Sequence, residues 1–588
     1  MSSTGLRVKV ALAAAVTALL AVGFLIVGTE FSTADTPGKP IRIQILSLND
    51  FHGNLEALPG PSGAVTVLNE AGREVKVQAG GIARIATLLR TAREGQSATI
   101  TVGVGDMIGG SPFTSAIYHD EPSIHALEKL GMEFTAAGNH EFDEGLLELS
   151  RIIDGGCHPN DGCAMPGEAY PGAPFPYLGA NVIDNATGKP VLPAYVVKEL
   201  SGIKVGFIGI VTHETPSRVM PAGIEGLTFA DEAETINKYA EELNARGVRA
   251  IVALVHEGAE PASPVYDADC DAHGPGSGIS GPITSIAKNS SPKVDLILTG
   301  HSHHPYICNI PDPKGQRRLV TQAAAFGRTF TDIQFDVDSG TGHILRDTVR
   351  AKNKIVTLDT AEDPDLKAYV DTWKGRSSAQ SDKIAGFIGA DFLGRGATTL
   401  ETQLGDTIVD AQTEATRDLG AQLAFCTIGG MRSDLMYRSG AQPGVVTFGN
   451  LFEIQPFGNE LVTMNLTGAQ LLELLRQQFT GLNAEQPRLL QPSNAFRATV
   501  DLSREGGDKV LADSIRVDGK PLDHTRVYRV TVNSFLAAGG NGFTVFENGT
   551  NRVTSPTNDV AALFSYLKNH SSADRSLMPP PADRVTVR

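Results

Sequence analysis

The sequence predicts an α/β layered domain followed by an α+β domain, the two joined by a helical linker. Three observations carry that expectation. The chain has 588 residues, more than one hydrophobic core sustains. From Ile41 to about Arg350, short β-rich runs alternate with helical stretches, the pattern of an α/β layered domain. Beyond Lys383 the alternation stops, and strands and helices follow in irregular order.

Taken in order, the chain begins with Arg7 and Lys9 ahead of an uncharged run from Val10 to Val27. Ser32, Thr33 and Ala34 then offer a small-x-small cleavage site. Residues 1–34 therefore read as an export signal. The apolar run is nearly long enough to span a bilayer, so an uncleaved N-terminal anchor is the alternative.

Residues 41–350 form the first domain, with strands expected at Ile43 to Leu48, Thr99 to Val104, Phe134 to Ala137, Val205 to Ile210, Ile251 to Val255 and Val294 to Leu298. Helices are expected at Ile82 to Arg93, Pro122 to Leu130 and Ala230 to Arg246. Pro122 near the first turn and Gly131 just past the end mark real helix boundaries. Residues 351–383 read as a linker: a helix from Glu362 to Trp373, then a stretch without apolar periodicity from Lys374 to Lys383. The second domain occupies 384–570, and the proline-rich tail 571–588 is expected to be poorly ordered.

Composition narrows the partners. A net charge of -16 leaves no excess of Lys and Arg to neutralise a nucleic-acid polymer. An anionic small molecule would need local positive charge from metals or a few Arg. In the oxidising compartment that export implies, Cys157 is expected to pair with Cys163 and Cys270 with Cys308, leaving Cys426 as a buried thiol.

Each expected strand of the first domain, Val205 to Ile210 apart, ends in a metal-ligating side chain. NDFHG supplies Asp50 and His52, GDMIGG supplies Asp106, and GNHEFD supplies Asn139 and His140. VHEG supplies His256, and GHSHH supplies His301 and His303. Five strand ends would thus deliver carboxylate, imidazole and amide groups to one edge of a sheet, a donor set suited to Zn, Mn, Co or similar divalent ions.

These five blocks, in this order, resemble those of the calcineurin-like metallophosphoesterase superfamily. More narrowly, the chain resembles the secreted 5′-nucleotidase family, which includes bacterial UDP-sugar hydrolase/5′-nucleotidase and ecto-5′-nucleotidase. The resemblance implies a metallophosphoesterase domain followed by a 5′-nucleotidase C-terminal domain. It also implies two divalent ions, one on Asp50, His52, Asp106 and His303, the other on Asp106, Asn139, His256 and His301. Such a pair generates hydroxide at neutral pH to attack phosphorus. His140 is then the catalytic histidine and Asp143 its partner, while Glu141 reads as a helix-start carboxylate outside the chemistry.

In the second domain, QPFGNEL and NSFLAAGGNGF place Phe457 and Phe535 where the family clamps a nucleobase. TIGGMRS places Arg432 at the phosphate or ribose arginine, with Gly429 and Gly430 allowing close approach. Three positions depart from the pattern. Thr427 stands where the family often has Asn, Leu400 replaces a second arginine, and Asn541 matches an Asp that holds ribose hydroxyls. The implied substrate is a nucleotide bound across a cleft, with the linker as a hinge. UDP-sugar hydrolysis and 2′,3′-cyclic-nucleotide hydrolysis fit the same scaffold, as does the thiosulfate-ester chemistry of sulfur-oxidation relatives. An inactive exported binding protein is the reading from another class. Oligomeric state is not indicated.

Overall fold

The computed structural model describes residues 38–439 and 442–588. The uncharged N-terminal run lies outside these residues; among the described ones no helix is long and apolar enough to cross a membrane.

The first domain contains twelve strands that position the site: β1 Pro40–Leu48, β2 Thr99–Val104, β3 Phe134–Ala136, β4 Tyr177–Leu178, β5 Tyr195–Leu200, β6 Ile203–Val211, β7 Ala250–His256, β8 Leu296–Thr299, β9 Tyr306–Asn309, β10 Leu319–Gln322, β11 Thr329–Asp338 and β12 Arg350–Ile355. They form two six-stranded sheets, β12-β11-β1-β2-β3-β4 and β9-β10-β8-β7-β6-β5. The central strands run parallel, β1 beside β2 and β3 in one sheet, β6 beside β7 and β8 in the other.

The inner faces pack on each other through residues such as Ile45, Val102 and Phe134 from one sheet and Phe207, Leu254 and Leu298 from the other. Because both faces of these strands are buried, they read as continuous apolar runs. Helices cover the outer faces, Ile82–Arg93 and Gly145–Asp154 on one side, Glu232–Ala245 and Pro282–Asn289 on the other.

Three expectations need correction. The ligand-bearing ends do not lie on one sheet: Asp50, Asp106 and Asn139 follow strands of the first sheet, while His256, His301 and His303 follow strands of the second. Periodicity shows which face of a strand is buried, not which sheet it joins.

The linker is not irregular after Trp373. A single helix runs Pro364–Ser381, capped by Asp363, whose side chain accepts the N–H groups of Asp365 and Leu366. It packs on helices 82–93 and 113–116 of the first domain and on 448–454 of the second. Clasped on different faces by two domains, it has no single apolar stripe. Residues 350–355 belong to the first domain as β12.

The tail is built into the second domain. Val585–Val587 pairs in parallel with Phe496–Val500, and the buried Arg584 is bound by Asp410 and Asp406.

That domain centres on a five-stranded sheet, with β13 Leu423–Thr427, β14 Glu460–Thr467, β15 Leu490–Pro492, β16 Val527–Asn533 and β17 Thr550–Asn558 in the order β15-β13-β16-β14-β17. Cys157–Cys163 and Cys270–Cys308 are disulfides, and Cys426 is buried and free.

Candidate active site

The parallel register of β1 and β2 sets the loops after them side by side. The Asp50 N–H donates to the Gly105 carbonyl (3.0 Å) and the His52 N–H to the Asp106 carbonyl (2.9 Å). At the matching end of the other sheet, the His301 N–H donates to the Asp50 carboxylate at 3.0 and 3.1 Å, which stitches the two sheets together across the site.

Five of the expected ligands hold left-handed backbone: Asp50, His52, Asp106, His301 and His303, with φ of 48°, 47°, 52°, 72° and 66°. Non-glycine residues take this conformation rarely, and it clusters where surrounding structure forces side chains toward a common point. The neighbouring glycines make the room. A Cβ on Gly138 would stand 2.2 Å from Asp106 Oδ1 and 2.7 Å from His256 Nε2.

Two groups result and share Asp106: the buried Asp50, His52, Asp106 and His303, and Asp106, His256 and the half-buried His301. Their geometry tests whether a cation fits. His256 Nδ1–H donates to the Val104 carbonyl (2.8 Å), which in the neutral ring leaves Nε2 as an electron-pair donor 3.0 Å from Asp106 Oδ2. His52 Nδ1–H likewise donates to the Gly109 carbonyl (2.8 Å), and its Nε2 lies 3.2 Å from His303 Nε2 and 3.6 Å from Asp106 Oδ2.

Burial holds His52, His301 and His303 well below the ordinary imidazole range, hence neutral and able to ligate. His256 differs. Burial opposes its charge, but the adjacent Asp106 carboxylate raises it to about 10, so a metal would displace a proton here. Asn139 Oδ1 is buried without a hydrogen-bond partner.

Once the His256 proton has left, these electron-pair donors about 3 Å apart suit a divalent ion, whose tetrahedral ligands at 2.0–2.1 Å would stand about 3.3 Å from one another. Imidazoles fixed through their second nitrogen are the usual companion of such an ion.

His140 is not in either group. Its Nδ1–H donates to both oxygens of the half-buried Asp143 (2.8 and 3.0 Å), and its backbone N–H donates to Asp106 Oδ1 (2.8 Å). The ring lines a cleft of about 780 Å³ between the two domains.

Glu141 does more than the sequence reading gave it. It is 3% exposed, and its carboxylate accepts the N–H groups of Asp106 (2.9 Å), Met107 (2.8 Å) and Gly138. It thus ties the Asp106 loop to the turn that carries Asn139. Asn49 plays a similar part for Asp50, donating to Oδ2 at 2.6 Å. Both are adjacent to predicted ligands, and that adjacency was the only signal available.

From the second domain, Arg432 approaches His52 Nε2 (3.0 Å). Phe457 stacks on His140, with ring centroids 5.8 Å apart, and lies under the Arg432 guanidinium. Phe535 packs over Gly540 and lines the same cleft, as do Gly429, Gly430 and Asn541.

Leu400 is 40% exposed, and a second guanidinium reaches the site from Arg395, a residue the sequence reading did not single out, whose Nη2 lies 3.4 Å from His303 Nδ1. Asp434 ties the two arginine loops together by accepting the N–H groups of Gly394 (2.8 Å) and Gly396 (2.9 Å). The Gly-Arg-Gly tripeptide at 394–396 was the sequence signal. Burial and the neighbouring Arg432 push the Arg395 guanidinium down to about 9.

Comparison with known proteins agrees with this geometry. Residues 43–305 match the family model described as calcineurin-like phosphoesterase, and residues 378–548 match 5′-nucleotidase, C-terminal domain. The chain is 34% identical over 568 residues to the cell wall protein Lmo0130 of Listeria monocytogenes, covering 92% of this chain and 69% of that protein. It is 31% identical over 540 residues to the endonuclease YhcR of Bacillus subtilis, covering 91% of this chain but only 40% of that protein.

The crystal structure of a 5′-nucleotidase precursor from Thermus thermophilus superposes with a TM-score of 0.74 at 26% identity, covering 93% of this chain and 99% of that one. With a two-sheet phosphoesterase domain, a shared buried Asp/His cluster and a 5′-nucleotidase C-terminal domain facing it, the chain belongs to the 5′-nucleotidase family of calcineurin-like metallophosphoesterases.

Proposed function

We propose that this chain is an exported, metal-dependent phosphohydrolase that removes phosphate from nucleotides. One observation carries the reading. The cleft that exposes the Asp106-centred cluster also holds Arg395, Arg432, Phe457 and Phe535, so groups for a metal, a phosphate and a nucleobase open on one space.

Two divalent ions would be held by these donor sets, one by Asp50, His52, Asp106 and His303, the other by Asp106, Asn139, His256 and His301. When bound, such ions supply Lewis-acid activation of water and neutralise charge on the phosphoryl oxygens.

The chain's own residues do the rest. Arg395 and Arg432 grip the phosphate, and their converging guanidiniums favour the extra charge of the transition state. His140, oriented by Asp143, presents its Nε2 to the leaving oxygen. As the ester P–O bond breaks and the P–O bond to water forms, His140 gives the leaving alkoxide its proton. Asp143 stabilises the imidazolium beforehand. Phe457 and Phe535 hold the base by stacking, which tolerates different bases, and Asn541 faces the ribose.

Export is supported by the uncharged run from Val10 to Val27 and by the two disulfides.

The test is a panel of AMP, UDP-glucose, 2′,3′-cyclic AMP, p-nitrophenyl phosphate and DNA, run before and after chelation. AMP turnover that chelation abolishes and divalent metal restores is expected. Absence of stoichiometric metal together with no turnover of any nucleotide would overturn the reading in favour of a binding protein.

A further inference from the structure

Two of the three departures from the family pattern meet in space. Asn541 Nδ2 donates to Thr427 Oγ1 at 3.3 Å, and its Oδ1 accepts from Arg488 Nη1, also at 3.3 Å. Asn541 is 6% exposed and holds left-handed backbone with φ 57°, so the amide is fixed rather than free to swing aside. Thr427 is buried at the end of β13, on the turn that carries Gly429 and Gly430.

Arg488 is half-buried in the wall of the same cleft, next to Leu489 and Leu490 in the core. Its only side-chain hydrogen bond among the described residues is to the neutral Asn541 amide, and no carboxylate of those residues forms an ion pair with it. Glu485 lines the same wall but is exposed and unpaired with it.

The charge balance of this corner follows directly. An Asp at position 541 would face Arg488 as an ion pair and cancel it, leaving a neutral place for two hydroxyls. An Asn cancels nothing. The guanidinium keeps its full charge in a partly desolvated wall, several donors remain free, and the group beside it is the one proposed to face the ribose. A guanidinium so placed favours a planar or tetrahedral oxyanion over a hydroxyl.

We propose that Arg488, with Asn541 and Thr427, forms a second anion subsite at the ribose end of the cleft, so that the favoured substrate carries a phosphate on the 2′ or 3′ oxygen besides the 5′-phosphate that is removed. The inference rests on the nucleotide reading above and adds a substrate class to it, the nucleoside bisphosphates. The reaction is unchanged: the 5′ ester P–O bond is cleaved by water, inorganic phosphate leaves, and the 2′ or 3′ phosphate stays on the nucleoside.

The test compares kcat/KM for adenosine 3′,5′-bisphosphate and for AMP in the metal-loaded protein and in Arg488→Gln, Arg488→Lys and Asn541→Asp. The parent should prefer the bisphosphate by about tenfold or more, the contribution of one charge-assisted contact. Arg488→Gln should bring the ratio near one, Arg488→Lys should keep part of it, and Asn541→Asp should lower it by taking up the guanidinium charge. Raising salt should shrink the ratio in the parent and leave it unchanged in Arg488→Gln.

A parent that turns over AMP but shows no preference, or an Arg488→Gln protein that loses both activities in equal proportion, would overturn the subsite while leaving the nucleotidase reading intact. Failure of the folded, metal-loaded parent on both compounds would overturn the nucleotidase reading and the subsite with it.

Discussion

Replacing Glu141 by Gln probes the device that holds the shared ligand in place. The carboxylate receives four backbone N–H groups, Asp106 and Gly138 on one oxygen and Met107 and, at 3.4 Å, Ile108 on the other. An amide offers one oxygen and one NH₂, so either orientation turns at least one of these contacts into N–H facing N–H. Hydrogen bonds to a charged group contribute about 1.5–3 kcal/mol each, and the retained ones would also lose their charge, for a total of about 2–4 kcal/mol. The loss falls on the Asp106 loop rather than on the core, because every partner belongs to that loop or to the turn at Gly138. Orienting groups of this kind change metal affinity by about 10- to 100-fold. Competition with a chromophoric chelator should therefore show weaker binding of Zn²⁺ or Mn²⁺ by that factor, with a folded protein by circular dichroism. Glu141→Asp should lie between the two. Metal affinity equal to that of the parent would refute the positioning role, whatever happened to activity.

Four further outcomes are expected. His140→Ala should retain metal yet lose turnover by a factor of about 10² or more, and near-normal rates would remove His140 from the proton-transfer role. Phe535→Ala should raise KM for AMP more than for p-nitrophenyl phosphate; equal effects would count against stacking. A disulfide between Gly60→Cys and Met436→Cys tests the hinge, since a Cβ at position 60 would stand 2.8 Å from Met436 Cγ. Gly60 holds φ 68° and ψ -158°, backbone that is essentially confined to glycine, so a cysteine there costs about 1–3 kcal/mol. The oxidised protein should stop turning over and recover on reduction, whereas unchanged turnover in the locked form would remove domain rotation from the cycle. Last, burial opposes but Glu144 and Asp161 raise His119 from 6.5 to about 9. A raised imidazole stabilises the fold fully below 6.5 and ceases to as pH passes 9. Both carboxylates are mostly exposed, so the contribution is about 1 kcal/mol. His119→Gln should melt below the parent at pH 6 and with it above pH 9; a difference constant with pH would refute the ion pair.

The Asp/His cluster was legible because each member follows directly on an apolar strand, and parallel strands bring their ends to one edge of each sheet without help from distant contacts. Asp50, Asp106 and His256 could be placed from their own flanks. The assignment of those strands to two sheets could not, because buried strands of either sheet are equally apolar. The tie that Glu141 makes to the Asp106 loop was missed for a related reason. A glutamate after a histidine in a short turn carries the same local signature whether it points to solvent or accepts four amides, and only the folded position of the Asp106 loop decides.

The second domain was harder because its groups act through partners far away in the chain. Arg395 reaches His303, 92 residues earlier, and Asp434 joins the loops of Arg395 and Arg432. Matching TTLETQLGD position by position put the missing arginine at Leu400, whereas the fold supplies a guanidinium from five residues upstream. The same holds for Thr427 and Asn541, which looked like two separate losses. In space they are one contact, 114 residues apart in sequence, with Arg488 as its third member. A substitution that removes a charge has a meaning only beside the charge it used to balance. At this cleft the balance shifts toward the cation, so the departures change which nucleotide is favoured and need not weaken nucleotide binding as a whole.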